Sequence, residues 1–156
     1  MERSISRILL TLLMSLSVIS VSAYDIAAVN ADGVTIYYNK INNNTELAVT
    51  SCTDKYTGDV VIPETVTYQD NTYSVTSIGN SAFRNCLNLT SVNIPNSVKS
   101  INTRAFEGCT GLTSLSIGSG LTSIGNNAFD GCTGLISVII PNSVKSIEQE
   151  TFAYCI

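Results

Sequence analysis

The chain has 156 residues and a net charge of −4, and Ser, Thr and Asn together make up a third of it. With 44% hydrophobic and 13% charged residues, this is the composition of one folded domain, and it excludes a disordered or a basic, nucleic-acid-binding chain. Histidine is absent, which excludes histidine-activated nucleophiles and histidine metal sites.

Residues 1–23 predict a secretory signal peptide. Arg3 and Arg7 precede an apolar stretch over residues 8–19, and small residues end the segment at Ala23. A membrane anchor is the weaker alternative, because the apolar stretch is shorter than the ~20 residues that a spanning helix needs. We therefore expect export, with no membrane insertion once the signal is removed.

Residues 24–74 predict a β-rich N-terminal cap. Residues 34–41 alternate in polarity and are rich in strand formers, residues 42–45 form a turn, and residues 46–52 are typical of the returning strand. Residues 60–66 echo a strand of the repeats that follow. A terminal unit of this kind covers the open end of a stacked core.

Residues 68–73 interrupt that echo and favour a hairpin excursion. The tyrosines of the cap leave open a second interpretation, in which Tyr37, Tyr38, Tyr68 and Tyr73 bind a ligand. Tyrosines in strands more often pack against their neighbours.

Residues 75–156 repeat with a period of 23 residues. The residues that recur most plainly are Cys86, Cys109, Cys132 and Cys155; Phe83, Phe106, Phe129 and Phe152; and Ile78, Ile101, Ile124 and Ile147. Each unit has a strand such as residues 89–94, a turn, a short extended return and a single helix-like turn in which Gly108 suits a left-handed exit. One unit cannot bury its own apolar face. We therefore expect a leucine-rich-repeat solenoid, mostly β with short helical turns, whose parallel strands stack by repeat ~4.8 Å apart.

The five cysteines allow two interpretations. In an exported protein they suggest disulfides, although the odd number leaves one unpaired. Four of them occupy one repeat position beside the core phenylalanines, which favours reduced thiols that fill the core. A metal site is disfavoured, since the chain has no His and no C-x-x-C motif.

Catalytic motifs are missing from the sequence. Glu107 and Asp130 share one repeat column, but Arg84 begins that column and Ala153 ends it, which is typical of a solvated edge. We expect a non-enzymatic protein without cofactor or metal.

The outward positions of the repeat strands form a candidate binding face. Its residues are Ser91, Asn93, Ser114, Ser116, Ile136, Ser137 and Ile139. Solenoid sheets offer extended surfaces suited to protein or glycan ligands. The alternative is that these hydroxyl columns only keep the protein soluble.

The phrases LTSVNIPNSVKSINTRAFEGCTG and LTSLSIGSGLTSIGNNAFDGCTG resemble the BspA-type leucine-rich repeats of bacterial surface proteins. The resemblance covers about residues 75–156. It implies a secreted or cell-surface binding module of bacterial source, with adhesion to host matrix proteins, host cells or other bacteria.

A structural spacer, or a truncated fragment of a longer repeat protein with no ligand of its own, is the alternative. The last unit stops at Ile156, before a further strand or a capping unit. An open solenoid end exposes unpaired strand edges, so we also expect self-association through that end.

Overall fold

The computed structural model describes residues 24–155, and the signal-peptide prediction for residues 1–23 lies outside this range. Within it the chain forms eleven strands and no helix. The strands are β1 (Ile26–Val29), β2 (Thr35–Ile41), β3 (Glu46–Val49), β4 (Gly58–Val61), β5 (Thr65–Tyr68), β6 (Asn71–Ile78), β7 (Leu89–Ile94), β8 (Ser100–Ile101), β9 (Ser114–Ile117), β10 (Ser123–Ile124) and β11 (Ser146–Ile147). A membrane-crossing helix, long and apolar enough to span, is not found in this part of the chain.

The cap consists of antiparallel strands joined directly to the repeats. Strands β1, β2 and β3 pair antiparallel, and β5 and β6 form the hairpin that the sequence predicts. The turn between β2 and β3 holds Asn42, Asn43 and Asn44 at positive φ, a conformation that Asn adopts more readily than most residues. Strand β3 then pairs in parallel with β6, so a single sheet runs β1-β2-β3-β6-β8-β10-β11, with β5 on β6. The segment is β-rich, as the sequence predicts, and its role as a cap stays a prediction.

A second sheet contains three parallel strands in the order β4-β7-β9. Ser91 lies opposite Ser114, and Asp59 of the cap lies opposite Ser91. The cap therefore supplies the first strand of this stack, as the echo at residues 60–66 predicts.

The short returns stack in the long sheet. Strands β8, β10 and β11 pair in parallel and in register, with Ile101 beside Ile124 and Ile124 beside Ile147. Residues 23 apart in the sequence therefore lie side by side in this sheet, so the repeat period sets the strand register.

The predicted helical turns are wrong. The return β8 is followed by three overlapping hydrogen-bonded turns, in which Ala105 N donates to Asn102 O and Glu107 N to Arg104 O, both at 3.2 Å, and Cys109 N donates to Phe106 O at 3.1 Å. Alternate N–H groups instead donate to the next unit, as Phe106 N does to Ala128 O at 2.7 Å. Left-handed φ values at Arg104 (57°) and Gly108 (71°) then prevent a helix from continuing, and the left-handed exit expected at Gly108 is confirmed.

The core lies between the two sheets and is filled by identical residues stacked on one another. The rings of Phe83, Phe106, Phe129 and Phe152 are parallel within 5°, and their centroids are 4.8, 5.1 and 5.3 Å apart. At the cap end Tyr56 closes the stack, 4.6 Å from Phe83 and tilted by 45°. Phe83, Phe106 and Phe129 are fully buried.

The third unit lacks the strand that its sequence predicts. Residues 135–140 make no strand pairing with β9, although Leu135 is buried as in the other units. In the second unit Gly118 N donates to Ile94 O at 2.9 Å. Pro141 occupies the equivalent position in the third unit and cannot donate this bond, and no other backbone hydrogen bond joins residues 135–140 to β9.

Candidate functional site

Four of the seven residues predicted for the binding face lie together on the three-stranded sheet. Ser91 and Asn93 alternate with the buried Val92 and Ile94, as the two-residue period of a strand requires. Parallel pairing places Ser114 beside Ser91 and Ser116 beside Asn93. We call the outward side of β4, β7 and β9 the outer face.

The other three predicted residues belong to the unpaired segment of the third unit. Ile136, Ser137 and Ile139 are exposed there, and the exposed fractions of Ile136 and Ile139 are 96% and 87%. The structure therefore places them beside the outer face and not within its strand ladder, because residues 135–140 do not pair with β9.

Asp59 is a member of the outer face that the sequence reasoning missed. Its Oδ1 accepts hydrogen bonds from the hydroxyls of Ser91 at 2.6 Å and Thr90 at 2.7 Å. These two donors, Ser91 first, lower the pKa of the Asp59 carboxyl. The echo of a repeat strand at residues 60–66 is the signal that would have placed Asp59 next to Ser91.

A groove separates β9 from the third-unit segment. We call it the β9 groove; its volume is about 340 Å³, and its lining residues are Leu115, Ser116, Ile117, Ser119, Ile139 and Pro141. Ser116 and Ile139 are thus shared between the predicted face and the groove. The groove exists because the strand ladder that would close it ends at β9.

The four cysteines that recur in the repeats lie along the core, and their thiol groups bond to the backbone. The Sγ atoms of Cys109, Cys132 and Cys155 donate to the carbonyl oxygens of Phe83, Phe106 and Phe129 at 2.9, 3.1 and 3.0 Å, respectively. All five thiols are free; Cys86, Cys109 and Cys132 are buried, whereas Cys52 and Cys155 are half-buried. The expected burial of these cysteines is thus confirmed for Cys86, Cys109 and Cys132.

The environment of Cys86 and Cys109 opposes ionisation. Burial raises the pKa of Cys86. The adjacent thiol of Cys132, followed by burial, raises the pKa of Cys109, and the adjacent thiol of Cys109 lowers the pKa of Cys132. Cys86 and Cys109 thus lack the lowered pKa of a cysteine nucleophile, and the thiol of Cys132 is buried away from any substrate. Among residues 24–155 no group of three or more His, Cys, Asp or Glu side chains could hold a metal ion.

The shared carboxylate column is an ion-paired edge. Glu107 lies 2.9 Å from Nη2 of Arg84 and 3.3 Å from Nε of Arg104. Asp130 accepts a hydrogen bond from Asn127 Nδ2 at 3.2 Å. These partners hold the carboxylates in the repeat stack, and neither contact positions a carboxylate for proton transfer.

The tyrosines of the cap mainly pack against neighbouring side chains. Tyr38 is fully buried, and burial raises its pKa. The ring of Tyr37 packs 4.5 Å from that of Tyr24, and Lys40 Nζ lies 5.2 Å from the ring of Tyr73. At least Tyr37 and Tyr38 therefore serve the cap core.

Comparisons with known proteins agree with this geometry. A family model described as a BspA type leucine rich repeat region, in six copies, matches residues 76–156. No curated protein matches the sequence.

Solved structures of bacterial repeat proteins are similar. A leucine-rich repeat protein from Bacteroides ovatus has 35% identity and a TM-score of 0.68, over 76% of this chain and 31% of that one. A leucine rich cell surface protein from Faecalibacterium prausnitzii has 30% identity and a TM-score of 0.68, over 86% and 35%. A leucine-rich repeat protein from Bacteroides capillosus has 28% identity and a TM-score of 0.67, over 80% and 88%. The chain spans about a third of the length of the first two.

Proposed function

Because the chain belongs to the BspA type leucine-rich repeat family, we propose that it is a non-enzymatic binding module at the bacterial cell surface or released from it. Its outer face binds a protein or glycan ligand on a host or bacterial surface. The cell-surface placement is supported by the signal-like sequence of residues 1–23 and by the similarity to a leucine rich cell surface protein.

One observation carries the proposal: the outer face presents an uncharged, regular array beside a groove. Ser91, Asn93, Ser114 and Ser116 follow each other across paired strands, and only Asp59 adds a charge. Backbone pairing fixes the positions of these side chains, so little conformational entropy is lost when a ligand binds them. An array held in this way suits recognition better than it suits a passive spacer.

The test is capture of ligands by the purified protein on an array of extracellular-matrix proteins and on a glycan array. The double variant Ser114→Lys/Ser116→Lys adds two charges to the outer face without touching the core. We expect it to lose captured ligand by roughly tenfold or more, because lysines in the centre of an interface block contact and remain unpaired.

The matched control is Thr110→Lys/Thr133→Lys, which adds the same charge at exposed turn positions outside the outer face. It should bind as the unsubstituted protein does. Equal binding by both double variants would remove the outer face from consideration. A failure of the unsubstituted protein to bind any array member would favour the spacer alternative.

A further inference from the structure

The outer face changes character in the third unit. The second unit has Thr113 and Ser116 at two outward positions, and the third unit has Ile136 and Ile139 at the equivalent ones. The first-unit equivalents, Thr90 and Asn93, stay exposed although β9 pairs with β7. Stacking therefore does not cover these positions, and an exposed isoleucine pair here marks an interaction surface.

The β9 groove lies directly beside this pair, and Ile139 lines it. With a volume of about 340 Å³ it is at the small end of the range of roughly 300–1,000 Å³ for ligand pockets. A space of this size accepts one or two side chains and not an extended oligosaccharide. In the part of the chain that the structure describes, no backbone pairing between β9 and residues 135–140 closes it.

The lining of the groove selects the chemistry of its occupant. Leu115, Ile117, Ile139 and Pro141 are apolar, and the polar side chains are those of Ser116 and Ser119. No charged side chain lines it, so a charged group buried here would be left without an ion partner. A sugar that entered the groove would lose the water bound to many of its hydroxyls. Only the hydroxyls of Ser116 and Ser119 could replace those hydrogen bonds. Charge and hydrogen-bonding complementarity thus favour an uncharged apolar side chain.

We propose that the β9 groove, together with Ile136 and Ile139, is the anchor site for an uncharged apolar side chain of a protein partner. This inference rests on the proposed function and specifies its ligand class as protein and not glycan. The hydroxyl rows of β7 and β9 then form the polar rim around the anchor, as in other protein interfaces.

The experiment selects a phage-displayed library of random linear peptides on the immobilised purified protein, with a glycan array in parallel. We expect the enriched peptides to share a Leu, Ile or Phe, and replacement of that residue by Ala to abolish binding of the synthetic peptide. Ile139→Lys should weaken the peptide by roughly tenfold or more. Leu87→Lys, the same change at another exposed apolar position, should alter affinity less than about twofold. Circular dichroism checks that both variants are folded.

Several outcomes would overturn the inference. One is peptide binding that is indifferent to Ile139→Lys. Another is capture of glycans that Ser114→Lys/Ser116→Lys abolishes and Ile139→Lys leaves unchanged, which would keep the proposed function and reject the apolar anchor. A concentration-dependent dimer that Ile139→Lys abolishes would assign the groove to a second copy of the chain. Capture of neither peptides nor glycans would reject both proposals.

Discussion

At the scale of single residues, the turn of the second unit lies directly against the turn of the first. A Cβ added to Gly118 would lie 2.6 Å from the carbonyl carbon of Pro95 and 2.6 Å from the backbone nitrogen of Asn96. Backbone atoms cannot move aside without shifting the ladder. We expect Gly118→Ala to lower the free energy of unfolding by about 2 kcal/mol in urea denaturation.

Ser119→Ala is the control for this change, since Ser119 is exposed in the same turn. It should alter the free energy of unfolding by less than about 0.5 kcal/mol. Equal losses in the two variants would show that turn packing is not the cause.

Single residues also mark the limit of what the sequence predicts. The alternation of Val92 and Ile94 with polar neighbours places Ser91 and Asn93 outward, and the structure agrees. Asp59 was missed because it lies one residue before the echo at residues 60–66, although its pairing with Ser91 continues the same register. Periodicity predicts the direction of a side chain well, but it misses a residue at the edge of a pattern that is only partly recognised.

At the scale of structural elements, the phenylalanine stack ends on Tyr56 of the cap. The Tyr56 hydroxyl donates to Thr50 O at 2.8 Å and accepts from Tyr37 N at 3.0 Å. Tyr56→Phe keeps the ring and leaves both backbone groups without this partner. We expect it to lower the free energy of unfolding by about 1–2 kcal/mol, measured by urea denaturation.

Tyr73→Phe provides the comparison, because it keeps the ring beside Lys40 at a partly exposed site. Its effect should stay within about 0.5 kcal/mol. A loss as large as that of Tyr56→Phe would show that the cost does not come from the two backbone groups that the Tyr56 hydroxyl satisfies.

The elements of the repeats follow from their spacing, with two exceptions. Strands β7 and β9 and the three returns are as predicted, because stacked identical residues fix a parallel register. The helical turns fail, because backbone N–H groups such as Phe106 N donate to the next unit. Residues 135–140 form no third strand, although their apolar positions and the following Pro141 match those of the first unit. The β9 groove is therefore not readable from the repeat pattern alone.

At the scale of the whole molecule, stacking identical residues puts several weakly acidic groups in one dry core. Burial raises the pKa of Tyr38 and Tyr56 above their usual 10.0, and the pKa of Cys86 above its usual 9.0. The interaction between the adjacent thiols of Cys109 and Cys132 raises the pKa of Cys109 and lowers that of Cys132, whereas the pKa values of Tyr38, Tyr56 and Cys86 are all raised. The folded protein therefore holds protons that the unfolded chain releases in mildly alkaline solution.

This difference sets the direction of the pH dependence. Where the unfolded chain binds fewer protons than the folded one, the free energy of unfolding falls as pH rises. The stabilisation is complete below the ordinary thiol value of 9.0 and is lost as pH rises above it, with each retained proton contributing about 1.4 kcal/mol per pH unit. We expect urea denaturation in the presence of a reductant to show a steady loss of stability from pH 9 upward. Tyr38→Phe removes one such proton and should make the loss above pH 10 less steep, whereas equal slopes for the variant and the unsubstituted protein, or stability unchanged up to pH 11, would contradict the expectation.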